Sequence, residues 1–99
     1  MDVIGRSFAS ANAAGFRSTP LSKWLPVAER AKLLSGREME VFELLGVGFS
    51  NRMIASELYV TERTVKAHMA QILAKLGVES RLQAGLVAQA CLILQGEEG

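Results

Sequence analysis

Residues 35–80 carry helix-start and helix-stop signals at intervals that leave room for helices and little else. Ser35, Ser50, Thr61 and Ser80 each precede a run with apolar residues at steps of three and four, and glycines stand at 46, 48 and 77. A hydroxyl in that position accepts a hydrogen bond from an unpaired N–H of the first turn, and a glycine ends a helix by entering the left-handed conformation. The spacing predicts four helices. The first runs from Ser35 to about Gly46; a shorter one from Ser50 carries Ile54, Ala55 and Leu58. A third runs from Thr61 to Leu76, and the last from Ser80 to about Gln95. No strand alternation and no internal repeat is present, so the fold class is all-α.

The first start is the best specified. Ser35-Gly36-Arg37-Glu38 is a capping box, in which the serine oxygen accepts from the Glu38 amide and the Glu38 side chain reaches back to the serine N–H. Met39, Val41, Phe42, Leu44 and Leu45 then supply its apolar face. Residues 1–33 differ in character: Gly5, Gly15, Pro20, Pro26 and the small-residue run Ala9-Ser10-Ala11-Asn12-Ala13-Ala14 read as a flexible or partly helical arm. Pro26 suits the first turn of a short helix there, and Trp24 and Leu25 are the arm's expected anchors on a core. The helical domain is therefore placed at 34–95, and 96–99 is read as a disordered tail.

Ninety-nine residues accommodate one small domain, and 49% apolar residues suffice for a real core. A single cysteine excludes an internal disulfide and a cysteine-based zinc site, which points to a reducing, cytoplasmic setting. No run reaches the ~18 to 20 apolar residues of a membrane span, and the N-terminus lacks the pattern of a secretory signal. No phosphate-binding glycine loop is present. Glu38, Glu40 and Glu43 are too scattered for a metal site and are expected to be solvated or paired with Arg37 and Arg81. His68, the only histidine, has no acid–base partner at a matched spacing and reads as a structural hydrogen-bonding residue. These observations exclude an enzyme and call for neither cofactor nor metal.

The helix from Thr61 has two unlike faces. Val65, Met69, Ile72 and Leu76 form one apolar stripe, while Arg63, Lys66, Ala67, Ala70 and Ala74 form the other. A solvated face normally carries long polar side chains throughout; cations followed by alanines leave a face positive at its start and sterically low behind. Tyr59-Val60-Thr61 separates this helix from the one before it, a turn of helix-turn-helix length, in which the later helix enters the major groove of DNA. Thr61, Arg63 and Thr64 at its N-terminal end suit phosphate oxygens, with Arg52 adding charge. Lys66 reaches the acceptors of guanine, and an alanine methyl packs on a thymine methyl. Charge alone does not decide between DNA binding and an ordinary helical bundle. The whole chain is +1, residues 35–99 are −2 (six Lys/Arg against eight Asp/Glu), and residues 61–76 are +2 (Arg63, Lys66 and Lys75 against Glu62).

Four segments, in order and without gaps, resemble the LuxR/FixJ-type (GerE-like) helix-turn-helix domain: Leu34-Ser35-Gly36-Arg37-Glu38-Met39-Glu40-Val41, Gly48-Phe49-Ser50-Asn51-Arg52-Met53-Ile54-Ala55, Thr64-Val65-Lys66-Ala67-His68 and Lys75-Leu76-Gly77-Val78-Glu79-Ser80-Arg81. The resemblance covers about residues 33–95. It implies a four-helix domain that binds double-stranded DNA as a dimer in bacterial transcription control. It implies base contacts from Lys66, Ala67 and Ala70, and backbone contacts from the positions matched by Thr61, Arg63 and Thr64. Two positions depart from the pattern. Met53 stands where relatives often have an acid, and Ala70 where they often have a cation or amide. Readout would then rest on Lys66, methyl contacts and DNA shape.

The last helix has two apolar stripes. Leu82, Leu86, Ala90 and Ile93 are expected to dock on the other helices, leaving Ala84, Val87, Ala88, Cys91 and Leu92 for a symmetric dimer. Coverage of that second stripe by Phe16, Leu21, Trp24 and Leu25 of the arm is the competing arrangement. The leading function is a bacterial transcriptional regulator, or the output domain of one, that binds the major groove as a homodimer. The alternative is an interaction module that pairs with a larger regulatory protein through this helix and modulates it. No sensory domain fits in the residues ahead of the domain; control by level, by a partner or by the arm, or a tether to a regulatory domain, are the expectations that follow.

Overall fold

A computed structural model describes residues 20–98; Phe16 and the rest of 1–19, and Gly99, lie outside the described residues. Two 3-10 helices, Pro20–Trp24 and Glu29–Leu33, flank a single α-turn, α1 (Leu25–Ala28). Four longer helices follow: α2 (Gly36–Gly46), α3 (Asn51–Leu58), α4 (Glu62–Leu76) and α5 (Arg81–Glu98). The described residues contain no strand, in keeping with the all-α class.

The caps are where the hydroxyls stand. Ser35 Oγ accepts from Glu38 N–H at 3.2 Å while Glu38 Oε1 accepts from Ser35 N–H at 2.9 Å, which completes the capping box. Ser50 accepts from Met53 N–H at 3.2 Å, without a reciprocal acid. Ser80 Oγ accepts from Gln83 N–H at 3.2 Å. Gly77 closes α4 at φ 73°, a conformation open to glycine at no steric cost. A side chain there would also meet Arg30, whose Nη1 donates to Leu76 O at 3.0 Å.

The core lies where α2, α4 and α5 meet, with α3 leaning on α4. Val41, Phe42, Ile54, Val65, Ile72, Leu76 and Val87 are its largest fully buried side chains. The segment from Pro20 to Leu33 is helical throughout and packed: its first part and α1 lie on α5, and Glu29–Leu33 lies on α4. Ala28 and Ala31 are buried, and Trp24 packs against the core. This segment is thus part of the folded unit rather than a free arm, because short helical turns with small residues inward can lie close to a helix already there.

The orientation of α5 corrects the expected dimer stripe. Ala84, Val87 and Ala88 are buried within the single chain, as is Ala90, while Cys91 and Leu92 are half-buried and Leu82 is 73% exposed. The reason is the closeness of α2. A Cβ built on Gly46 would lie 2.8 Å from Ala88 Cβ, so only small residues fit at this crossing. Gln89 closes the junction by donating to Gly46 O. The alanines therefore go in, and Leu82 and Leu86 face an open groove with Val47, Gly48 and Phe49. The helix also runs through Glu98 rather than ending near Gln95. Gly96 lowers helix propensity by about 1 kcal/mol but does not forbid helix. No helix among the described residues is long and apolar enough to cross a membrane.

Candidate nucleic-acid interface

Ser50 starts α3, and Leu58 ends it against a left-handed Tyr59 (φ 58°, ψ 43°), whose N–H is bonded to Ala55 O. Val60 N–H shares that acceptor at 3.0 Å, which reverses the chain within the three residues before α4. Half-buried Val60 and Leu58 pack against the core, fixing the turn from inside. The result is the helix-turn-helix that the 59–61 spacing predicts.

Thr61 N-caps α4, its Oγ1 accepting from Thr64 N–H at 3.0 Å. The same hydroxyl donates to Thr64 Oγ1 at 3.0 Å. Thr61 thereby spends its proton within the turn, and Thr64 keeps an O–H to donate elsewhere. Along α4, Val65, Met69, Ile72 and Leu76 are buried, and Arg63, Lys66, Ala67, Ala70 and Ala74 are exposed. The side chains of Arg63 and Lys66, and of Arg52 on α3, make no hydrogen bond or ion pair among the described residues. An unpaired cation can neutralise a phosphate or bond a base edge without first giving up a partner.

Lys75, the third cation of the helix, is held differently. Its Nζ donates to Glu38 Oε1 at 2.7 Å, with the Glu38 side chain 9% exposed. The free positive charge of α4 is therefore confined to its N-terminal half, and the far end is tied to the capping box of α2. Glu38 pairs with Lys75 and not with Arg37 or Arg81; Arg37 pairs with Glu40 at 3.2 Å. Arg81 instead donates to Phe49 O at 2.7 Å and to Asn51 Oδ1, pinning the entry to α3 from α5. With Arg30 on Leu76 O, these bonds fix both helices of the motif from behind. Sequence periodicity gave no sign of Arg30 in this role, nor of Gln89 at the α2–α5 junction, since a side chain bonded to a distant carbonyl leaves no local pattern. The His68 side chain is half-buried and makes no hydrogen bond among the described residues, unlike the structural hydrogen bond expected of it.

The Lys75 hydrogen bond, and then the Ser35 N–H, hold the Glu38 carboxyl below its ordinary value of 4.5, against the opposing effect of burial. A lowered folded value means that the pair stabilises fully above the unfolded value and loses its effect as pH falls through the folded one. Glu38→Gln is expected to unfold at a lower temperature than the parent at pH 7, with the difference closing below about pH 4.5. Thermal unfolding followed at pH 7 and at pH 3 checks this; a difference of the same size at both would contradict it.

Residues 32–88 match the family described as "Bacterial regulatory proteins, luxR family". The chain belongs to the luxR family. DegU of Brevibacillus brevis, a "Transcriptional regulatory protein", is 50% identical over 52 residues, covering 52% of this chain and 22% of DegU. VraR of Staphylococcus aureus, a "Response regulator protein", is 46% identical over 61 residues, covering 62% of this chain and 29% of VraR. The chain thus spans under a third of either relative. The matched residues of this luxR-family chain take in all of α2, α3 and α4, so the helix-turn-helix is its DNA-binding motif.

Proposed function

We propose that this luxR-family chain is a bacterial transcriptional regulator, or the output domain of one, acting in the cytoplasm and entering the major groove of duplex DNA through α4 as a homodimer. The observation that carries the reading is the outward face of α4: Arg63 and Lys66 at its start, unpaired among the described residues, followed by exposed Ala67, Ala70 and Ala74 that present no bulk. Lys66 reads base acceptors and the Ala67 and Ala70 methyls lie against the groove floor. Arg63, Arg52 and the Thr64 hydroxyl take phosphates, with Thr61 holding Thr64 in place. For the dimer, Ala84, Val87 and Ala88 are spent inside the subunit. The second copy is assigned to the outer side of α5, where exposed Leu82 borders Leu86 and Val47.

Selection from random duplex DNA tests this reading. A symmetric dimer returns an inverted repeat, whereas no enrichment would overturn DNA reading and favour the interaction module. Salt supplies the second measure. Arg52 and Arg63 from two subunits neutralise four phosphates, giving a log–log slope of about −3.6 and a loss of roughly 150-fold between 50 and 200 mM salt. Apolar pairing through α5 alone would barely respond.

A further inference from the structure

Among the described aromatic residues, Phe42 is buried and Trp24 and Phe49 are half-buried, but Tyr59 is 94% exposed. It makes no ring contact or side-chain hydrogen bond among the described residues. Its backbone is also unusual. Tyr59 is the one residue other than glycine at positive φ among them (58°). A side chain in the left-handed region crowds its own backbone, and glycine or asparagine would fill such a cap with less strain. Neither packing nor local conformation therefore accounts for a tyrosine here, and strain retained without an internal return points outward, to something the side chain touches.

The place in the fold narrows what that is. Tyr59 is two residues ahead of the Thr61 cap, so the two Cα atoms are at most about 7 Å apart. It thus stands at the same end of α4 as Arg63 and Thr64. Its immediate surroundings are not an apolar patch: Glu57 and Glu62 are exposed and Val60 is turned half inward. A protein partner would have one ring and two acids to grip. The phenol, by contrast, offers a neutral O–H donor, which bonds an anionic oxygen by direction rather than by charge, and so operates beside Glu57 and Glu62.

We propose that Tyr59 is a contact to the DNA backbone, its phenol O–H donating to a phosphate oxygen at the rim of the groove that α4 enters. This rests on the DNA-binding reading above and adds a residue to it that lies in the turn, outside α4. The contact is sequence-independent and holds the register of α4 without reading a base.

Operator binding and thermal unfolding of Tyr59→Phe, Tyr59→Gly and Lys66→Ala test it, using the site returned by selection and an unrelated duplex. Tyr59→Phe keeps the ring and removes only the hydroxyl. It is expected to bind both duplexes three- to tenfold more weakly, with an unchanged melting temperature and an unchanged salt slope, because no charge is lost. Tyr59→Gly is expected to bind at least as weakly yet melt at a higher temperature, since the strained cap is relieved. Tyr59→Phe binding within twofold of the parent overturns the contact, whether or not Tyr59→Gly loses affinity, provided Lys66→Ala is weakened. Should Lys66→Ala also bind as the parent does, the DNA-binding face itself is misassigned and the Tyr59 contact falls with it.

Discussion

Replacing Lys66 by alanine is expected to weaken binding to the selected operator by about 1–3 kcal/mol, roughly five- to 150-fold, and to leave the fold unchanged. The two halves of that expectation have separate grounds. The Lys66 side chain is exposed and bonded to nothing among the described residues, so its removal leaves none of their buried groups without a partner. Ala67 and Ala70, behind it on the same face, carry no donor or acceptor side chain, and Arg63, one turn ahead, is the residue proposed for a phosphate, so no further donor on that face stands ready to take over its hydrogen bonds. A readout resting on one polar side chain loses nearly all its discrimination when that side chain goes. Binding to unrelated DNA should fall much less, because the phosphate contacts proposed for Arg52, Arg63 and Thr64 are untouched. Gel-shift titrations on the operator and on a scrambled duplex check both parts. Equal losses on the two would make Lys66 a phosphate contact, and no loss on either would place the groove-facing surface elsewhere.

How far the sequence anticipated these details depended on whether a signal was local. Ser35 with Glu38, Ser50, Thr61 and Gly77 act within one turn of themselves, and each cap stands where the spacing put it. The two faces of α4 were equally legible, since four apolar residues on a 3.6 period admit one inward side. Alpha-helix α5 was not, because its two apolar stripes make orientation depend on what approaches it. Area alone favours burying Leu82 and Leu86; the contact between Gly46 and Ala88 requires the small side instead. A glycine at position 46 has two meanings in a sequence, a helix end and a close crossing, and only the partner helix reveals the second. Charge was misread for the same reason: Lys75 counts toward a basic helix until the distant Glu38 is seen to hold it. On α4, then, the exposed side was visible in the sequence, and the distant residues that hold the helix in place were not.

The largest effect on stability is expected from Phe42→Ala, at about 3–5 kcal/mol. Phe42 is 1% exposed and stands on α2 at the crossing with α5. It borders a cavity of about 60 Å³ lined also by Ala31, Ala88 and Cys91. Met39, Glu43, Leu92 and Gln95 complete the lining; their side chains can fill only part of the space a ring leaves, because the helices that carry them are held apart by the rest of the core, so the remaining void would merge with the existing one. A domain of this size has only about 4–12 kcal/mol to lose, so the variant should populate unfolded chains measurably at ambient temperature. Cys91 reports the change directly. Burial, with Glu29 adding a smaller effect, pushes its thiol above the usual range, and both suppress the reactive thiolate in the parent. Alkylation of Cys91 should therefore be slow in the parent and fast in Phe42→Ala. Operator DNA distinguishes a weakened fold from a damaged interface. Because it binds only folded chains, a hundredfold excess over its dissociation constant returns about 2.7 kcal/mol, and Cys91 should become slow to react again. If DNA failed to protect the variant while still binding the parent, removal of the ring would have displaced α4 itself, and the division between a supporting core and an independent outer face would not hold.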